Sequence, residues 1–133
     1  MEDGTRYEGE CDENGLPDGR GIHISQHGNL YEGYFSGGKS NGRGRVIYSD
    51  GAYYDGEWKN DQKNGYGIYN FGDNSLYEGY WYGDQMHGYG KYSHPDFIYE
   101  GEFNMGSQEG HGIEALTDGP IFIGPFKNDQ KHG

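Results

Sequence analysis

Tyr54-Asp55-Gly56-Glu57-Trp58 is the stretch that decides how this chain is read. Alternation places Tyr54, Gly56 and Trp58 on one side and Asp55 and Glu57 on the other, and a period of two belongs to a β-strand. The phrase returns as Tyr31-Glu32-Gly33-Tyr34-Phe35, Tyr77-Glu78-Gly79-Tyr80-Trp81 and Tyr99-Glu100-Gly101-Glu102-Phe103. Weaker copies stand at Tyr7-Glu8-Gly9-Glu10-Cys11 and Phe122-Ile123-Gly124-Pro125-Phe126. The central glycines are 24, 23, 23, 22 and 23 residues apart. A fixed period of this size marks a stacked array of one small unit.

Outward from the phrase, each unit continues in the same way. After Trp58 comes a polar turn, Lys59-Asn60-Asp61-Gln62-Lys63-Asn64, and then a second strand-like run, Gly65-Tyr66-Gly67-Ile68-Tyr69. The Gly-x-Gly that opens this run recurs as Gly19/Gly21, Gly42/Gly44, Gly88/Gly90 and Gly110/Gly112, and the sixth copy reaches Gly133. A second turn then follows: His27-Gly28-Asn29, Asp50-Gly51, Gly72-Asp73-Asn74, Pro95-Asp96 or Asp118-Gly119. Asp-Gly between strand-like runs is a hairpin signal, because tight turns need positive φ. The expected fold is all-β, an elongated single antiparallel sheet of stacked β-hairpins, solenoid-like. Its units run 7–30, 31–53, 54–76, 77–98, 99–121 and an incomplete 122–133.

Glycine inside a strand weakens pairing unless something covers it. Here Gly33, Gly42, Gly44, Gly56, Gly65, Gly67, Gly79, Gly88, Gly90 and Gly101 keep step with Tyr31, Phe35, Tyr54, Trp58, Tyr77, Trp81, Tyr99 and Phe103. The expectation is a floor of three glycines per unit on which aromatic rings lie, as in aromatic rescue of sheet glycines. Composition alone points elsewhere. Ile, Leu, Val and Phe make up about 14% of the chain and the net charge is −12, a combination typical of disorder. The 14 Tyr and 2 Trp at periodic sites supply the apolar area that such a count omits, roughly 150–250 Å² per ring.

An acidic chain lacks the positive footprint that nucleic acid requires. The single cysteine, Cys11, fills an aromatic slot and excludes a disulfide framework. No apolar stretch is long enough for a spanning helix or a signal core. A cytoplasmic protein is the expectation.

These residues resemble the MORN repeat, whose consensus is close to Y-x-G-x-[WF] followed by G-x-G, and the resemblance covers essentially the whole chain. It implies an elongated antiparallel sheet that acts as a scaffold or protein-binding module, sometimes dimeric, with phospholipid binding proposed for some members. Asp12-Glu13-Asn14-Gly15-Leu16-Pro17-Asp18-Gly19, with Leu30 to Phe35, Asn41 to Gly44 and the stretch from Asp118 to Gly133, is similar to the N-terminal MORN region of SET-domain histone-lysine methyltransferases. That resemblance implies an accessory region whose catalytic domain lies outside these residues, and a nuclear location in place of the cytoplasmic one.

Several motifs tempt toward other chemistry. Gly33-Tyr34-Phe35-Ser36-Gly37-Gly38-Lys39-Ser40 spells a P-loop, but a phosphate cradle needs a helix after the loop, and another strand follows here. Of the six histidines, His87 and His132 share one polar loop slot with Asp18, Asn41, Asn64 and Glu109, which is no ligand spacing. Glu8, Glu32, Asp55, Glu78 and Glu100 recur once per unit and read as a solvated row rather than an acid/base pair. No catalytic residue, metal or cofactor is expected, and the chain by itself is read as non-enzymatic.

The binding reading rests on residues opposite the ring face. Leu30, Tyr53, Leu76, Ile98 and Ile121 precede the motif aromatics, and Tyr34 and Tyr80 share their side, forming an expected track for a protein partner. The alternative, peripheral binding to anionic phospholipid, rests on Lys39, Arg43 and Arg45, a cluster without an intervening acid in sequence, with Lys59 and Lys63 one unit on. Both ends look cut, so a fragment of a longer protein, or a homodimer through exposed array ends, is a further expectation.

Overall fold

The computed structural model describes residues 4–117, 119, 121–127, 130 and 131, with the backbone alone at 127, 130 and 131. Expectations resting on Asp118, Pro120, His132 and Gly133 fall outside the described residues. The strands are β1 (Arg6–Cys11), β2 (Pro17–Ile24), β3 (Leu30–Ser36), β4 (Lys39–Ile47), β5 (Tyr53–Lys59) and β6 (Gln62–Asn70). They continue as β7 (Leu76–Tyr82), β8 (Gln85–Ser93), β9 (Phe97–Asn104), β10 (Ser107–Leu116), β11 (Ile121–Lys127) and the short β12 (Gln130–Lys131). Each pairs with the next in one open 12-stranded antiparallel sheet. At about 4.8 Å per strand that sheet is roughly 50 Å across. The single antiparallel sheet of stacked hairpins expected from the period is what forms.

The turns differ from expectation. The six-residue turn read after Trp58 is only two residues long, and Gln62, Lys63 and Asn64 already belong to β6. Asn60 and Asp61 have φ of 49° and 68°, and Gly83 with Asp84, Met105 with Gly106 and Gly37 with Gly38 also have positive φ. Positive φ at both central residues is the type I′ turn, whose twist matches the strands it joins. The Asp-Gly signals sit instead in longer loops between units, where Tyr48 N–H donates to the Ala52 carbonyl (2.9 Å) and Gly51 N–H to the Tyr48 carbonyl (3.0 Å).

Shortening the turn shifts the register. Gly56 faces Gly67, but Trp58 then faces Lys63, so Glu57 alone opposes Asn64, Gly65 and Tyr66. The same offset follows Gly33, Gly79 and Gly101. Gly42, Gly65 and Gly88 occupy this bulge at φ of 100°, 108° and 91°, a region that favours glycine. The floor of three glycines is therefore corrected to two, because the first glycine of each Gly-x-Gly serves the bulge. Glu57 Oε2 accepts from Tyr66 N–H at 2.7 Å and Glu102 Oε2 from His111 N–H at 2.8 Å, satisfying backbone donors at the bulge.

The two remaining glycines lie under the tyrosine. A Cβ on Gly56 would come 2.7 Å from the Tyr54 hydroxyl, and one on Gly67 would overlap the Tyr54 ring. The Tyr54 hydroxyl then donates to the Glu57 carbonyl (3.0 Å), as Tyr31 does to Tyr34 (2.9 Å) and Tyr77 to Tyr80 (2.9 Å). Each tyrosine ring is met edge-on by its own unit's Trp or Phe and by that of the next. Centroid distances are 4.9 Å and 5.4 Å for Tyr31 to Phe35 and Trp58, and 5.1 Å and 5.4 Å for Tyr54 to Trp58 and Trp81. Tyr77 and Tyr99 repeat the pattern with Trp81 and Phe103, and with Phe103 and Phe126. Edge-to-face pairs add about 0.5–1.5 kcal/mol each beyond area burial. Tyr54, Tyr77 and Tyr99 are thereby wholly buried on a single-layer sheet.

Turn tips tie successive units together. Asp61 N–H donates to the Ser40 carbonyl (3.0 Å) and Asp84 N–H to the Lys63 carbonyl (3.1 Å). The carboxylates return the bond: Asp61 Oδ1 accepts from Ser40 N–H and Asp84 Oδ1 from Lys63 N–H, both at 2.8 Å.

Gly67→Ala is expected to cost about 1–3 kcal/mol through overpacking, read by chemical denaturation. In a Tyr54→Leu background the same change should cost less, since the ring it displaces is gone. Strictly additive losses would remove the ring-on-glycine contact as the basis of the core.

Candidate functional site

The sheet has two unlike faces. On the outer one, register carries a row from Leu30 through Ile47 to Tyr53, then Asn70, Leu76, Ser93 and Ile98. Leu30, Tyr53 and Leu76 are half-buried and Ile98 and Ile121 exposed. Tyr34 and Tyr80, 46% and 51% exposed, lie in a separate row beside the bulges, where Tyr34 faces Arg20 and Tyr80 faces Tyr66. Tyr66 and Tyr80 meet edge-on at 5.5 Å. The partner candidates thus fall into two parallel rows. Tyr66 and Tyr89, both exposed there, were missed; their signal is the middle position of Gly-x-Gly.

Between these rows runs a charged one in which Glu32 faces Arg45, Arg45 faces Asp55, Glu78 faces Lys91 and Lys91 faces Glu100. Arg45 Nη2 lies 3.2 Å and Arg43 Nε 3.8 Å from Asp55 carboxylate oxygens. The basic cluster that lacks an acid along the chain therefore has one in space. Lys39 and Lys59 are exposed at the hairpin ends. Lys63 is corrected as a lipid-facing residue. Its side chain is 13% exposed on the ring face and its Nζ is 3.6 Å from Asp84 Oδ1. The same nitrogen sits 5.4–5.9 Å from the ring centroids of Tyr54, Trp58, Tyr69 and Trp81. Burial pulls its pKa below the ordinary lysine value, and Asp84 opposes that shift.

The ring face also carries an open cavity of about 370 Å³, lined among others by Phe71, Met86, Tyr92, Phe97, Phe103 and Glu114. Phe71, between β6 and β7, and Phe97, the first residue of β9, carry no periodic signal, because they stand outside the five-residue phrase. In the P-loop look-alike, Gly33–Ser36 is strand and Lys39–Ser40 opens β4. Buried Ser40 gives its N–H and hydroxyl to Asp61, so a carboxylate holds the place a phosphate would need. No His, Cys, Asp and Glu grouping suited to a metal ion occurs among the described residues.

An open sheet of repeated hairpins, with one face covered largely by rings and the other presenting exposed tyrosines, defines a β-repeat module. The MORN repeat family model matches residues 31–53, 54–76, 77–97 and 99–120. With more than half of the sequence matched, the chain belongs to the MORN-repeat family, whose repeats are binding modules. No curated protein matches the sequence as a relative.

Burial raises the pKa of Tyr31, Tyr54 and Tyr77 far above the ordinary phenol value and pushes Tyr48 up to about 12. A folded-state pKa above the unfolded one gives stability that is complete below pH ~10 and lost as pH rises toward the folded value. Thermal midpoints should therefore fall between pH ~10 and ~12, with these core phenols ionising only as the sheet melts. A midpoint independent of pH over that window would contradict the buried tyrosine row. Co-sedimentation with anionic vesicles should leave the chain in solution at about 0.1 M salt. Salt-sensitive pelleting abolished by Lys39→Ala, Arg43→Ala and Arg45→Ala would reinstate the lipid reading.

Proposed function

We propose that this chain is a non-catalytic scaffold that binds a protein partner along the outer face of its sheet. The observation that carries this reading is the exposure of Tyr34, Tyr66, Tyr80 and Tyr89 beside the Leu30–Ile98 row. Single exposed apolar residues are ordinary, but Tyr66, Tyr80 and Tyr89 stand side by side on neighbouring strands, and a contiguous patch marks an interaction surface. Tyrosine suits the role, since its ring gives contact area and its hydroxyl a polar handle. The charged row between supplies register for a partner of alternating sign.

A second reading takes the array as the accessory region of a SET-domain histone-lysine methyltransferase. It is supported by the likeness around Asp12–Gly19, where the structure has an ordered loop: Asp12 Oδ1 accepts from Asn14 and Leu16 N–H at 2.8 Å and 3.0 Å. A transcript without a SET-coding segment would end it.

Tyr66→Ser with Tyr80→Ser tests the main reading, because both rings are exposed and losing their edge-on contact, worth about 0.5–1.5 kcal/mol, leaves the buried ring row in place. Quantitative affinity capture should recover at least one protein about tenfold less with the double variant than with the parent chain. Identical recoveries from both, with the double variant still folded, would refute outer-face binding.

A further inference from the structure

Lys63 shows what the ring face can hold. Its ammonium lies among Tyr54, Trp58, Tyr69 and Trp81, with Asp84 as the anionic partner. Ring faces attract cations, and the attraction grows when water is excluded. One unit further along, the period carries these positions to Tyr77, Trp81, Tyr92 and Phe103, Lys63 to Met86, and Asp84 to Gly106. Register confirms the correspondence, since Trp58 faces Lys63 and Trp81 faces Met86. The fourth unit thus keeps the rings and replaces both members of the ion pair. That is where the 370 Å³ cavity opens.

Two further features mark the cavity for a cation. Phe71, between β6 and β7, and Phe97, the first residue of β9, add ring walls, with Tyr92 5.7 Å from Phe71 and 5.8 Å from Phe97. Glu114 faces Tyr99 across β9 and β10, the place held by Tyr69 opposite Tyr54 and by Tyr92 opposite Tyr77. A carboxylate thereby lines the cavity at a register position that the two preceding units give to a ring. The chain carries a net charge of −12, which favours a basic partner.

We propose that this cavity receives the ammonium of a lysine side chain from a partner polypeptide, walled by Phe71, Tyr92, Phe97 and Phe103 and opposed by Glu114. The proposal rests on the protein-binding reading but uses the opposite face of the sheet from Tyr66 and Tyr80. Lys63 serves as the internal precedent, one unit away and already filled.

The test uses the peptide acetyl-Gly-Leu-Lys-Leu-Gly-amide and its norleucine counterpart, followed by amide shifts in the isotope-labelled chain. The lysine peptide should shift Tyr92, Phe97, Gln108 and Glu114 and bind at least tenfold tighter than the norleucine peptide. Glu114→Gln should narrow that preference. Met86→Lys with Gly106→Asp should abolish binding by filling the cavity from within. The aspartate is accommodated there, since a Cβ on Gly106 meets nothing within 4 Å and Asp61 and Asp84 hold the corresponding turn position at φ of 68° and 70°. Equal affinity for both peptides, no binding of either, or undiminished binding by the folded double variant overturns the assignment. Partner capture lost with Tyr66→Ser and Tyr80→Ser but no lysine-dependent shift would sink the cavity alone and spare the protein-binding reading.

Discussion

Tyr54 can lie over its own hairpin because Gly56 and Gly67, directly opposite each other, both lack a Cβ. From that missing pair of atoms the remaining architecture follows. The ring comes close enough for its hydroxyl to reach the Glu57 carbonyl, at a bulge where the ladder is interrupted. It meets Trp58 and Trp81 at nearly right angles, so the contact within one unit also fixes the next. A single-layer sheet ordinarily leaves each face half wet. Here the rings cover one another along the sheet, and no second layer is needed for Tyr54, Tyr77 and Tyr99 to be fully buried.

How legible this was depends on which residues carry a period. Tyr, Gly and Trp/Phe recur in step, so strand direction, ring face and hairpin stacking could be read from the chain. The bulge could not, because Gly42 and Gly44 look alike in sequence, while only Gly42 has positive φ. Loop length was misjudged for a related reason. Lys59 to Asn64 is polar throughout, and polarity does not say where a two-residue I′ turn ends and a strand resumes. The basic cluster illustrates a third limit: Asp55 lies ten residues beyond Arg45 in sequence yet opposite it in the ladder.

Of the candidate surfaces, the outer rows were visible as alternation, whereas the cavity was not. Its walls come from Phe71 and Phe97, which flank β7 and β8 outside the five-residue phrase, and from Tyr92. Alternation identifies a face, but a concavity arises where units differ, and differences are what a consensus discards.

That contrast gives the array its functional logic. The slot facing the Trp/Phe is Ser40, then Lys63, then Met86, then Gln108, while the Tyr and Gly around it stay fixed. Ser40 and Lys63 are each engaged by an aspartate from the following turn, Asp61 and Asp84. Met86 meets Gly106 there instead, which offers a backbone N–H and no carboxylate. Because the scaffold's stability comes from rings and glycines outside this slot, the slot can change chemistry without unseating the sheet. In such an array a pair of substitutions, Met86 for the lysine and Gly106 for the aspartate, is enough to leave room for a guest beside rings that stay in place.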